Sequence, residues 1–311
     1  MQCLIAGVEA LAFRTAMRRF WSLLHMGIAI LCLPALPAAA QPHEAQPQVA
    51  QTVPVAPQDQ APISEPVLQL HSGHRASDEW RFSLGVGGLY APTYLGSNNY
   101  DLDPLPLIDI RYRDRLFLST RDGLGINLLS GSNWRAGPVL KYRRGRDQDD
   151  DAALHGLGDV DPAGEIGGFV HYDLRPFTMG AEIRQGFGGH DGVIGDLFFT
   201  WTTLFNDRTQ LSLGPKLSLG SRDFTESYFG IDANQAARSG YQRYEADGVF
   251  VSYGLGASLT YQLGDGWALG GFAGVDRLEG DAADSPIVDQ AGSATQGRVG
   301  LSIGYSFGTG K

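Results

Sequence analysis

Arg298-Val-Gly-Leu-Ser-Ile-Gly-Tyr-Ser-Phe307 alternates without a break. Val299, Leu301, Ile303, Tyr305 and Phe307 fall on one parity, Gly300, Ser302, Gly304 and Ser306 on the other. Successive side chains of a strand point to opposite faces, so this strand has one continuous apolar face and one face of small or hydroxylated residues. Two settings accept such a strand. In a soluble sandwich the apolar face looks inward. In a transmembrane barrel the assignment inverts, with apolar side chains toward lipid and small or polar ones toward the lumen.

The same pattern recurs upstream, and its length and its ends favour the barrel. Trp80, Phe82, Leu84, Val86 and Tyr90 alternate with Arg81, Ser83, Gly85 and Gly87. Trp134 to Tyr142 and Phe177 to Ile183 repeat it, and Val249 to Tyr261 is the longest series. A tilted strand crossing a bilayer needs about 9–11 residues. Aromatics stand at the ends of the series, at Trp80 and Tyr90, Trp134 and Tyr142, and Tyr253 and Tyr261. Aromatic girdles at both membrane interfaces have that placement.

The segments before Trp80 are of another kind. Met17-Arg-Arg19, the apolar run Phe20 to Leu33 and the small residues Ala38-Ala-Ala40 form a secretory signal pattern, so residues 1–40 read as an N-terminal extension plus signal. A transmembrane anchor is the alternative, against which stand the shortness of the run and Pro34 and Pro37. Residues 41–78, rich in Pro, Gln and Ala, read as a periplasmic linker or, through their prolines, as a recognition segment. Residues 79–311 are then the barrel.

Cys3 and Cys32 are the chain's two cysteines, and both precede the expected cleavage. The mature protein is therefore expected to have no disulfide, thiolate metal site or cysteine nucleophile. A net charge of -10 argues against a nucleic-acid partner. No cofactor motif is present: Gly186-Phe-Gly-Gly189 is followed by no Lys-Ser or Lys-Thr and reads as a turn.

Connection lengths give the strand count. Bacterial barrels keep short turns on one side and long loops on the other, so the two kinds must alternate. They do so if residues 115–130 hold two strands joined by a tight turn at Arg121-Asp-Gly123. The expectation is a closed antiparallel transmembrane β-barrel of about twelve strands with both termini periplasmic. Its long connections are 91–104, 145–162, 220–247 and 278–296.

On this framework several stretches resemble the MipA/OmpV family of outer-membrane proteins. They are Pro92-Thr-Tyr94-Leu-Gly96-Ser97, Gly137-Pro138 with Tyr142-Arg-Arg-Gly145-Arg146, Tyr228-Phe229, and Leu278-Glu-Gly-Asp281-Ala-Ala-Asp284-Ser285-Pro286. The resemblance covers about residues 80–307. It implies an outer-membrane barrel without catalysis, a scaffold for a murein lytic transglycosylase and a penicillin-binding protein, although other members are described as adhesins. The final strand is similar to the recognition strand of bacterial barrels, so Tyr305 and Phe307 are the expected assembly signal; Gly308 to Lys311 follow it.

The inward parity carries Arg81, Asp109, Arg111, Arg135, Lys141, Glu165, His171, Glu182, Arg184, Asp196 and Lys216. An Arg or Lys facing lipid at the midplane costs roughly 2–4 kcal/mol, so confinement of charge to one face supports the register. Glu165, His171, Glu182 and Arg184 read as an acid–base cluster or, more plainly, as a salt-bridge network filling the lumen together with Arg135 and Lys141. Arg143, Arg144 and Arg146 are placed to meet lipopolysaccharide phosphates beside outer-membrane lipid. Asp147, Asp149, Asp150 and Asp151 read as a solvated charge run or as oxygen ligands for a cation. A narrow small-solute channel and a surface adhesin remain alternatives to the scaffold.

Overall fold

A computed structural model describes residues 79–309; the expected signal and linker lie outside the described residues. Twelve strands form the wall: β1 (Trp80–Pro92), β2 (Tyr100–Tyr112), β3 (Leu116–Ser119), β4 in two pieces (Gly123–Ile126 and Leu129–Ser130), β5 (Trp134–Arg143) and β6 (Ala163–Leu174). They continue with β7 (Phe177–Gly188), β8 (Val193–Asn206), β9 (Thr209–Gly220), β10 (Phe250–Gly264), β11 (Trp267–Glu279) and β12 (Thr295–Thr309). Each pairs antiparallel with its sequence neighbours, and β12 pairs with β1 through registers such as Phe82↔Phe307 and Val86↔Ile303. The sheet closes on itself into a barrel.

The β12 apolar face points out of the barrel: Leu301 is 74% exposed, while Ser306 on the opposite parity is buried. Leu84, Val86, Ile166, Ile183, Leu197 and Leu255 are likewise outward and exposed. This is the inverted arrangement of a membrane barrel. No described helix is long and apolar enough to cross a membrane, so the crossings are made by strands. At the short-turn end, Trp267 packs on Tyr305 at 5.1 Å and Phe307 stacks on Phe82 at 5.1 Å. At the long-loop end Tyr90 stacks on Tyr100 at 5.3 Å.

Two elements depart from the expectation. β2 begins at Tyr100, so part of the connection expected over 91–104 is strand, and the loop itself is 93–99. The reason is that the β1–β2 ladder runs without interruption from Trp80↔Tyr112 to Pro92↔Tyr100. The hairpin of β3 and β4 is shorter than expected. β3 pairs with β2 only over Asp109–Tyr112, and the turn at Arg121-Asp-Gly123 sits partway up the wall instead of at its rim. Gly123 takes φ +76 there, a value open to glycine, and a Cβ would meet the Leu140 carbonyl at 2.3 Å.

β4 closes the barrel onto β5 through Leu124↔Leu140 and Gly125↔Val139, then Leu129↔Ala136 and Ser130↔Arg135. Three residues of β4 lie between the two sets against Gly137-Pro138 of β5, which is a β-bulge.

Candidate functional site

Strand register assembles the lumen. Lys141 lies opposite Glu165, Gly167 opposite Arg184, and Glu182 opposite Asp196, so β5 to β8 bring their inward charges to one level. Arg184 is the hub. It donates from Nε to Glu165 (2.8 Å), from Nη1 to Glu182 (2.5 Å) and from Nη2 to Asp196 (2.6 Å). Arg143 donates to Glu165, Lys141 pairs with Glu182 at 2.6 Å, and Ser218 donates to Asp196 at 2.6 Å. Three cations thus meet three carboxylates. Such balance is what a buried charge cluster requires, because desolvated ions are stable only when mutually paired and hydrogen-bonded.

Of the expected acid–base cluster, Glu165, Glu182 and Arg184 are brought together. His171 stands aside, 4.0 Å from Glu182, between Phe169 and Phe198, with neither ring nitrogen hydrogen-bonded. A different histidine, His190, reaches Glu165 at 3.2 Å. It lies in the connection between β7 and β8, where no strand period marks it. Arg135 sits nearer the turn end and pairs with Asp173 at 2.6 Å. Arg111 bridges Asp109 (2.8 Å) and Asp122 (3.1 Å), and Lys216 pairs with Asp276 at 2.8 Å.

Above the lumen, four long loops make a second structure that the strand pattern did not foretell. Loop 221–249 carries α1 (Arg222–Phe229) and α2 (Ala233–Ser239), and loop 280–294 carries α3 (Asp281–Asp284) and α4 (Pro286–Asp289). Together with loops 93–99 and 144–162 they bury Tyr94, Leu154, Phe224, Phe229, Ile231, Phe250, Leu278 and Ile287 in one apolar cluster. Each such side chain contributes roughly 1.5–3 kcal/mol when fully removed from water. The cluster forms a cap at the long-loop end.

The loop stretches singled out from sequence converge in this cap, while Gly137-Pro138 lies at the β5 bulge. Tyr94 donates from Oη to the Ile287 carbonyl (2.9 Å), and Ser285 donates to the Phe229 carbonyl (2.7 Å). Ser97 bridges to Gly292, Pro286 opens α4, and Asp281 accepts the Gly248 N–H at 2.5 Å. Asp284 closes α3 beside Ser285. Gly96 takes φ +103, and a Cβ would lie 2.5 Å from Val288 Cγ2, so the loop needs glycine there. Arg146 donates from Nη1 to the Tyr228 carbonyl at 2.7 Å.

The electrostatics follow from burial. Desolvation holds the Tyr94 hydroxyl far above its usual pKa, reinforced by the charge of Asp151. Tyr244 is pushed up to about 12 by burial and then by Asp281. Asp151 behaves oppositely. Burial raises its pKa, but hydrogen bonds from the Ala153 N–H, Thr93, Asn99 and Ser97 outweigh it and leave the carboxyl below its usual value. Burial depresses the Arg146 guanidinium.

Arg143 and Arg146 therefore turn inward, one to Glu165 and one under the cap; Arg144 is the more exposed of the three and lies 3.6 Å from Asp150. The acidic run is absorbed locally: Asp147 accepts the Asp149 N–H and Asp150 the Asp147 N–H. Among the described residues no group of three or more His, Cys, Asp or Glu is placed to hold a metal ion.

A closed twelve-stranded antiparallel barrel with an apolar exterior, a charge-paired interior and a loop cap is an outer-membrane β-barrel protein. The chain matches the family model described as MltA-interacting protein MipA over residues 84–307, and it belongs to that family. It is 25% identical to the MltA-interacting protein of Escherichia coli (strain K12) over 247 residues, 78% of this chain and 96% of that protein. It is 38% identical to outer membrane protein OmpV of Vibrio cholerae serotype O1 over 91 residues, 29% of this chain and about a third (34%) of that protein. Among solved structures it is similar to the NanC porin, with a TM-score of 0.40 and 9% identity over 71% of this chain and 98% of that one.

Proposed function

We propose that this barrel is a non-catalytic docking platform that holds a murein lytic transglycosylase, and with it a penicillin-binding protein, at the outer membrane. The observation that carries the reading is membership of a family described as MltA-interacting, with a relative of that name aligned along 96% of its length. In this reading the short-turn end and both termini face the periplasm and the cap faces outward, as in bacterial barrels generally. The mutual pairing of Arg184, Glu165, Glu182 and Asp196 supports a structural lumen over an acid–base site. The cap weighs against the solute channel.

The turns at the proposed periplasmic end are short, for example Asn206 to Thr209 and Gly264 to Trp267. A specific interface takes roughly 800 Å² on each partner, so residues 41–78 are proposed to supply part of it. The test is cross-linking in intact envelopes followed by affinity capture of the tagged chain. A murein transglycosylase or synthase should be enriched over an unrelated barrel, and deleting residues 45–75 should reduce that capture. Capture with no murein enzyme overturns the platform reading.

A further inference from the structure

The short β3–β4 hairpin leaves the wall incomplete. Above Asp109, β2 has no ladder partner on the β3 side: residues 100–107 pair with β1 alone. On the other side of the seam, β4 pairs with β5 no higher than Leu140, and β5 continues to Arg143. The eight residues 100–107 are about 26 Å of strand at about 3.3 Å each. Two strands stop short between β2 and β5, so three spacings of about 4.8 Å separate them, or about 14 Å. The result is a wedge-shaped notch with β2 as its long side and the turn at Arg121-Asp-Gly123 as its floor. At the top, Asp151 ties loop 144–162 to loop 93–99 through Thr93 (2.7 Å) and Asn99 (3.0 Å). The aromatic pair Tyr90 and Tyr100 marks the interface on this side, so the notch lies within the apolar band.

The edge of β2 is built to remain unpaired. The Ile108 N–H donates to Thr120 Oγ1 (3.4 Å) and its carbonyl accepts the Thr120 N–H (2.9 Å), so Ile108 faces the seam. By the two-residue alternation of a strand, Leu102, Pro104 and Pro106 face it too. The Leu102 N–H is taken by its neighbour Asp101 Oδ1 at 2.8 Å. Pro104 and Pro106 have no N–H to offer. Proline on an edge blocks addition of another strand, which excludes a second copy of this chain as the natural occupant. What the edge presents is a row of carbonyl acceptors, from Leu102, Pro104 and Pro106. An acceptor left unsatisfied in hydrocarbon costs several kcal/mol, so the edge calls for donors.

We infer that the notch is a lateral portal, through which a lipid of the leaflet on the cap side enters the wall with its hydrocarbon in the bilayer and its N–H or O–H donors on the β2 carbonyls. This goes beyond the docking reading and does not depend on it.

The test uses single cysteines, since residues 79–309 contain none. The full chain, with Cys3→Ser and Cys32→Ser, is labelled with a bimane at Leu105→Cys, on the inward parity of β2 beside the notch. Ser258→Cys on the lumen side of β10 and Leu301→Cys on the lipid face of β12 are the controls. Each is reconstituted in vesicles of acyl-brominated phosphatidylcholine, and folding is verified by heat-modifiable migration. A portal predicts quenching at position 105 about threefold above that at 258 and comparable to that at 301. Quenching at 105 equal to that at 258 overturns it. If Leu105→Cys does not fold, Leu107→Cys carries the same probe. Brominated phosphatidylethanolamine, whose ammonium has N–H donors, should quench more than the phosphatidylcholine, which has none. Equal quenching by the two overturns the donor assignment.

Discussion

Arg184 shows how one residue decides whether a lumen is stable. Its guanidinium satisfies three carboxylates at once, and it is 2% exposed. Arg184→Met keeps most of the volume but strands three carboxylates without their shared cation. Breaking a buried charge group from one side costs about 3–5 kcal/mol. Urea unfolding of the vesicle-inserted barrel, followed by tryptophan fluorescence, should show a loss of that order, and an unchanged midpoint contradicts the hub. Asp151 acts at the cap through pH. Its folded pKa lies below the usual carboxylate value, so its contribution is fully present above about 3.9 and is lost as pH falls through the folded value. Acidification should therefore release loops 93–99 and 144–162 before the wall unfolds, read as new pepsin cleavage in those loops. In Asp151→Asn the loops should be cut to the same extent at mild and strong acidity, because the titrating group is gone. The inward set was legible in the sequence because charge cannot face lipid at tolerable cost. The partners were not, because strand alternation specifies a face and not a height. His190 has no such signature for a related reason: it folds back from a turn onto Glu165.

At the scale of elements, the strand pattern was readable wherever one face meets lipid, and it failed where another constraint governs. β2 is the clearest case. Asp101-Leu-Asp-Pro-Leu-Pro106 has the composition of a loop, yet its prolines sit where the seam needs no N–H. The cap was invisible to alternation because its helices are short and irregularly spaced; only the separate loop motifs pointed at it. β12 links this outward face to assembly. Its outward Tyr305 and Phe307 pack on Trp267 and Phe82, which joins the last strand to its two neighbours at the turn end. These rings lie at the membrane interface, where aromatic side chains anchor a barrel. Phe307→Ala and Tyr305→Ala should each lower the amount of heat-modifiable, folded protein in outer-membrane fractions, and the double variant more so. Wild-type levels in all three remove the assembly role from this pair.

For the whole molecule, the question is whether a barrel of this size conducts. The half of the lumen toward the turn end holds buried serines such as Ser83, Ser306 and Ser212 and ion pairs such as Arg135–Asp173, all of them polar. Going upward, the path meets the Arg184 cluster and then the cap, whose Phe224, Phe229 and Phe250 rings are 0% exposed. Ring centroids of Phe224 and Phe250 lie 5.0 Å apart, those of Phe229 and Phe250 6.0 Å. An ion crossing that layer would shed its hydration with no polar wall to replace it, at a cost far above thermal energy. Planar-bilayer recordings of the intact protein should therefore show no discrete steps. Replacing residues 222–246 by a short Gly-Ser turn removes α1 and α2 and with them much of this layer. That variant should conduct, weakly and with selectivity set by the remaining lumen charges. Discrete conductance from the intact chain, equal to that of the loop-deleted one, would mean that the cap does not seal and would favour the alternative of a narrow channel.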